Sequence, residues 1–268
     1  ANSDWDLAFE CGEDSWHVVL NSALMMWAGQ TNDTNFALIN SSEGLEMNFD
    51  VSSGNRDSTA IGEWYYSGDN IMYSHHYVYV IDRGIDSEGT PLGYKKISLD
   101  IQGEDYTIRH ANLDGSDEQK LVIEKDEAFN YRHLSFENGL VDIEPFKNQW
   151  SLKFSRYSTI LFTDEGDPYP YNVVGVLLNP YMVEANRNSD NFFDLTSEYI
   201  GNYEYSKAAD LIGYSWKEYD FDGGYYTVLP DRTYIIKNND GFYYRLRFVS
   251  FYDAQGNKGN MGFEFSRL

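Results

Sequence analysis

The stretch from Arg232 to Leu268 constrains the fold more than any other part of the chain. Tyr244, Leu246, Phe248, Ser250 and Tyr252 fall on one side of an extended backbone, and Tyr243, Arg245, Arg247, Val249 and Phe251 on the other. That two-residue period is the signature of a β-strand. Asn239-Asp240-Gly241 before it offers the left-handed positions of a tight hairpin turn, and Gly256-Asn257-Lys258-Gly259 after it turns the chain into Met261, Phe263 and Phe265. The expectation is a three-strand antiparallel meander.

The rest of the chain has the composition to match. Of 268 residues, 23 are Tyr and 16 Phe, whereas only 6 are Pro, and Asn, Asp and Gly punctuate the apolar runs. Aromatic strands joined by turns account for this, and a helical bundle does not. The predicted class is all-β, mainly antiparallel, with few short helices. Length alone fits one large β domain or two ordinary ones.

The formal net charge of -23 repels phosphate backbones and anionic lipid surfaces, which excludes nucleic acid as a partner. No Asp-x-Asp-x-Asp-Gly calcium loop occurs, and Asp220-Phe221-Asp222-Gly223-Gly224 reads as a turn. Cys11 is the one cysteine, so there is no intrachain disulfide and no thiolate zinc cluster; it reads as a small buried filler. No apolar run reaches the roughly 18 residues of a transmembrane helix, and no charged-then-apolar leader is present. The chain is therefore expected to be soluble, with ANSDWDLAF reading as a mature or trimmed start.

Landmarks of the first half recur in the second, in the same order and at an offset of about 150 residues, as a tandem duplication would leave them. Trp5-Asp6-Leu7-Ala8-Phe9 is answered by Trp150-Ser151-Leu152-Lys153-Phe154, and Val18-Val19-Leu20-Asn21 by Val176-Leu177-Leu178-Asn179. Trp64 is answered by Trp216, Tyr79-Val80-Ile81 by Tyr234-Ile235-Ile236, and Tyr94-Lys95-Lys96-Ile97 by Tyr243-Tyr244-Arg245-Leu246. The expected division is one copy over residues 1–118 and a second over 119–268, with the hairpin-like lead Phe129–Gly139 opening the second copy.

The opening Trp-Asp-Leu-Ala-Phe, the apolar strand ending in Leu-Asn and the closing Tyr-Ile-Ile, Tyr-Tyr-Arg-Leu-Arg-Phe and Phe-Glu-Phe runs resemble the HmuY-like haem-binding proteins. The resemblance covers residues 131–268 nearly end to end and the first half more thinly. It implies an all-β, non-enzymatic lipoprotein, exported to the cell surface or the extracellular space of a Gram-negative bacterium. Such a protein holds haem or another tetrapyrrole between two axial His or Met side chains and delivers it to an outer-membrane receptor.

In that family the ligands lie between the Leu-Asn strand and the closing meander. The resemblance therefore points to Met25, Met26, Met72, His75 and His76 in the first half and to Met182 in the second. The residues themselves leave alternatives open. Met25 and Met26 beside Trp27 equally suit core filling. Neighbouring His75 and His76 point to opposite faces of an extended chain, so one of them at most serves a given site and the two together do not make a zinc site. His17, His110 and His133 sit in strand-like runs and read as structural. No Gly-x-Ser-x-Gly elbow, His-Glu-x-x-His or phosphate loop marks an enzyme. The competing function is a surface lipoprotein whose exposed Tyr and Trp stack on sugars or grip a protein partner.

Overall fold

The computed structural model describes residues 3–69 and 71–268. Its only helical elements among the described residues are three-residue 3-10 turns at Ser22–Leu24, Arg56–Ser58 and Ile200–Asn202. The remainder is antiparallel strand and loop, as the aromatic alternation predicts. Two compact units form, one from residues 1–147 and 156–172, the other from 148–155 and 173–268.

The first unit contains β1 (Leu7–Glu10), β2 (Val18–Leu20), β3 (Trp27–Gln30), β4 (Tyr65–Gly68), β5 (Ile71–Ser74) and β6 (Val78–Asp82). It continues through β7 (Tyr94–Gln102), β8 (Asp105–Asn112), β9 (Gln119–Ile123), β10 (Tyr131–Ser135) and β11 (Gly139–Val141). A five-stranded sheet runs β3-β6-β7-β8-β9, a four-stranded one β11-β10-β1-β2, and β4-β5 is a separate hairpin. Leu7, Phe9, Trp16, Trp64, Tyr79, Ile97, Tyr106 and Ile108 fill the core between them. The hydroxyl of buried Tyr106 donates to Glu10 O at 2.7 Å, so the phenol is not left unsatisfied by its burial. The compact units do not follow the 118/119 division of the sequence. β10 pairs residue by residue with β1, Leu134 opposite Leu7, and this ties the hairpin-like lead to the first unit.

The second unit follows from the hairpin of β12 (Leu152–Phe162) and β13 (Pro168–Leu178), whose far half, 156–172, belongs to the first. It adds β14 (Glu184–Asn188), β15 (Lys217–Asp220), β16 (Tyr225–Val228), β17 (Thr233–Lys237), β18 (Tyr243–Tyr252) and β19 (Lys258–Arg267). The sheet order is β14-β17-β18-β19, with the hairpin β15-β16 beside it. The expected meander is thus β17, β18 and β19. The register of β18 with β19 shifts twice, between Phe248 and Ser250 and between Ser250 and Tyr252; the first shift adds a residue to β18, and Phe251, expected on the face opposite Phe248, turns into the core with it.

The two units repeat one pattern internally. Ala28 faces Ile81 and Tyr79 faces Ile97 in the first sheet; Ala185 faces Ile236 and Tyr234 faces Leu246 in the second. Asn21 donates from Nδ2 to Trp5 O at 2.8 Å and accepts from Ala23 N; Asn179 donates to Trp150 O at 2.6 Å and accepts from Tyr181 N. Lys96 reaches Ile39 O over the ring of Phe36, and Arg245 reaches Leu195 O over the ring of Phe192. They differ at the far edge, where β9 covers β8 and, among the described residues, no strand pairs with the outer side of β19.

Candidate functional site

The first unit concentrates exposed aromatic chemistry on the β4-β5 hairpin. Register puts Tyr66 opposite Tyr73 and Tyr65 opposite Ser74. The face of Tyr65, Met72 and Ser74 turns to the core: Met72 packs against it and buried Ser74 donates to Leu99 O at 2.6 Å. The other face carries Tyr66, Ile71 and Tyr73, all exposed.

His75 extends that outer face. Its N–H donates to Trp64 O at 3.0 Å, continuing the hairpin ladder by one step. Its ring lies 4.9 Å from Tyr66 and 5.5 Å from Tyr77, nearly parallel to the latter at 18°, while Tyr66 stacks on Tyr73 at 5.4 Å. Four rings thus stand in a row, Tyr73, Tyr66, His75 and Tyr77, with imidazole third. Among the described residues neither nitrogen of His75 has a hydrogen-bond or ionic partner, so the tyrosines fix the ring while its lone pair stays available.

The other candidates lie elsewhere. His76 adopts a left-handed φ of 57°, its N–H held by Ser74 Oγ at 2.8 Å, and its ring points to solvent with Nδ1 3.9 Å from Asp100. Met26 is 2% exposed and packs in the main core. Met72 lies on the core face, opposite to His75. Met25, also left-handed, sits at the Asp82 end of β6, where its carbonyl oxygen lies 2.8 Å from where a Cβ on Gly84 would stand. His75 precedes the Val78 end, so the four residue steps of β6 alone put roughly 13 Å between them. Met182 is 59% exposed after the Asn179 turn of the second unit, the position matching Met25.

For haem this leaves a one-sided fit in the first unit: His75 suits an axial position with aromatic walls beside it. No second member of the predicted set joins it there, since Met72 and His76 face away and Met25 lies at the other end of the strand. Tyr66, Tyr73 and Tyr77 were not singled out from sequence. The signal was present in the Tyr65-Tyr66 and Tyr73 alternation around Ser67-Gly68-Asp69, which predicts the cross-strand pair once the hairpin is recognised.

Other polar clusters serve the fold. Buried Glu10 accepts from Ser15 and Arg56 and lies 3.1 Å from His17 Nδ1; desolvation opposes its charge, but the hydrogen bonds and Arg56 hold the carboxyl below its usual range. Asp50 accepts from Leu20 N at 2.6 Å and Ala60 N at 2.7 Å, and burial pushes its carboxyl up to about 6. Among the described residues no three His, Cys, Asp or Glu side chains gather as a metal site.

The model of one family, described as HmuY protein, matches residues 1–265. The chain belongs to the HmuY family. That single match runs through both units, and the HmuY fold here accordingly includes the β10-β11 strands and the β12-β13 hairpin between the two repeated patterns. No curated protein and no solved structure matches the chain. Within this HmuY protein, the Trp-Asp-Leu-Ala-Phe opening is β1 with its lead, and the closing aromatic runs are β17 to β19. The ring row belongs to neither of these motifs and lies on the β4-β5 hairpin.

Proposed function

We propose that this HmuY-family protein is a non-enzymatic, exported binder of haem or a related tetrapyrrole, with His75 as the axial ligand it contributes. The observation that carries the reading is the free imidazole edge of His75 held between Tyr66 and Tyr77 on an exposed face. Haem brings an iron that takes an imidazole nitrogen and a flat apolar face that suits tyrosine edges. Placement at the cell surface or outside the cell, a lipid anchor and hand-over to an outer-membrane receptor complete the proposal. The shared registers and the Asn21/Asn179 pair support a tandem duplication as the origin of the two patterns.

Titration with haem tests it: a Soret shift is expected, abolished by His75→Ala and retained by His76→Ala and Met72→Ala. No shift at any haem-to-protein ratio overturns the function, and a shift that survives His75→Ala overturns the ligand.

A second reading rests on the stacked, exposed pair Tyr66 and Tyr73, a platform of the kind that sugar rings or a partner protein cover. Specific retention on a glycan array, lost in Tyr66→Ala, would favour it.

A further inference from the structure

We propose that β19 is an interface strand, paired in solution with β19 of a second copy of this chain to join the two β14-β17-β18-β19 sheets into one. The two sheets within the chain supply the comparison. In the first, β8 is not an edge: β9 pairs with it in register, Leu121 opposite Ile108 and Ile123 opposite Tyr106. In the second, β19 occupies the equivalent place, since Leu246 faces Phe265 as Ile97 faces His110, and Phe248 faces Phe263 as Leu99 faces Ile108. The consequence is visible in the side chains. Ile108 and His110 are 0% and 1% exposed, whereas Phe263 and Phe265 are 39% and 62% exposed.

An exposed edge is ordinarily blunted by Pro, an inward charge, a bulge or a covering segment. β19 is ten residues long, contains no Pro, and keeps its Lys and Arg at its two ends, Lys258 and Arg267. Its central charge is spent within the sheet, because Arg247 of β18 grips Glu264 at 2.6 and 2.8 Å. One register shift adds a residue to β18 and a second adds two residues to β19 between Lys258 and Gly262, while Phe263–Arg267, the half that carries the exposed aromatic rings, run in regular register. Phe263, stacked on Phe154 at 5.2 Å, leads an apolar stripe through Phe265 that continues the core face past the last strand.

A second copy fits this edge by symmetry. An antiparallel continuation places the two-fold axis normal to the sheet, and such an axis keeps each face on its own side. With the axis at Phe263, that ring meets its own copy and Gly262 meets Glu264 of the second copy, so apolar faces apolar and no like charges lie opposite. An axis one residue on would set Glu264 against itself. The same pairing closes the β19 edge of both copies at once, leaving only β14 at each end of the joined sheet. The opposing force is the net charge of -23 on each copy, which salt screens, so association should strengthen as ionic strength rises.

Light scattering on the full chain across protein concentration, in low and high salt, should give a mass rising from 31.0 kDa toward twice that value, more readily in high salt. Phe265→Lys should return it to a monomer with unchanged circular dichroism and thermal unfolding. Independently of whether that variant folds, Phe263→Cys should form a disulfide-linked dimer under mild oxidation and Met261→Cys should not; Cys11 is buried and adds no background. A monomer in every condition, a dimer that survives Phe265→Lys, or cross-linking no better at 263 than at 261 overturns the proposal. So does a monomer that instead captures a synthetic peptide of residues 118–124, which would assign the edge to a foreign strand.

Discussion

At the scale of single residues, the chain separates look-alike side chains by what surrounds them. Met25, Met26, Met72 and Met182 carry the same thioether, yet Met26 is sealed in the core while Met182 stands in solvent. Met26→Ala is expected to cost about 2–5 kcal/mol in urea unfolding, and to leave haem bound per folded molecule unchanged. Lys217 gives the sharpest titration. Its ammonium is buried among Trp216, Phe251 and Tyr226 at 4.5, 4.6 and 5.6 Å and donates to Val174 O at 2.7 Å, and burial drags its pKa down to about 8. Folding thus disfavours the charged form. Below pH 8 this penalty is fully present, and it is relieved as pH rises from about 8 toward the unfolded value of 10.5. Relative to Lys217→Met, the wild type should gain up to about 3 kcal/mol over that window, since each pKa unit is worth about 1.4 kcal/mol. A flat difference between the two proteins across pH 8 to 10.5 would refute the assignment. None of this was legible in the sequence, where Lys217 is one lysine after a tryptophan; the desolvation comes from rings brought to it by β16 and β18.

At the scale of elements, side-chain clamps decide which strands stay together. Arg83 is buried after β6 and donates from Nε to Asp6 Oδ1 at 2.8 Å and from Nη1 to Glu137 Oε1 at 2.7 Å, while Asp6 Oδ2 accepts from Phe136 N. One guanidinium therefore ties the lead of β1, the end of β6 and the β10-β11 turn. Arg83→Ala strands the Asp6 carboxylate in the interior and is expected to destabilise the first unit by about 3–5 kcal/mol, read by denaturation with Trp fluorescence. Asn21 and Asn179 perform one task in two places. Replacing either by Ala removes the hydrogen bonds to a tryptophan carbonyl and a turn N–H, at a cost of about 1–3 kcal/mol. Hydrogen exchange should place the loss from Asn21→Ala in residues 1–147 and that from Asn179→Ala in 173–268; a loss spread evenly over both would contradict two separate clamps. Strand identity was readable from alternation, because a two-residue period has few other causes. The β10-β11 attachment to β1 was not, because no local signal states which strand a distant strand will pair with.

At the scale of the whole molecule, charge governs approach. Haem is itself anionic through its propionates, so a chain at -23 repels it at long range, and on the haem-binding reading association should speed up as salt is added. Stopped-flow mixing at two ionic strengths checks this, and a rate that falls with salt would imply a local cationic entry the total charge conceals. The all-β class, the closing meander, the repeated landmarks and the HmuY likeness were all fixed by the order of residues, since period, turn chemistry and motif are properties of neighbours along the chain. Which of six candidate ligands keeps a free lone pair beside aromatic walls, which phenylalanine a bulge turns inward, and which edge strand lacks a cover were decided only in three dimensions. Burial and pairing depend on residues dozens to hundreds of positions away, and that distance carries no mark in the sequence itself.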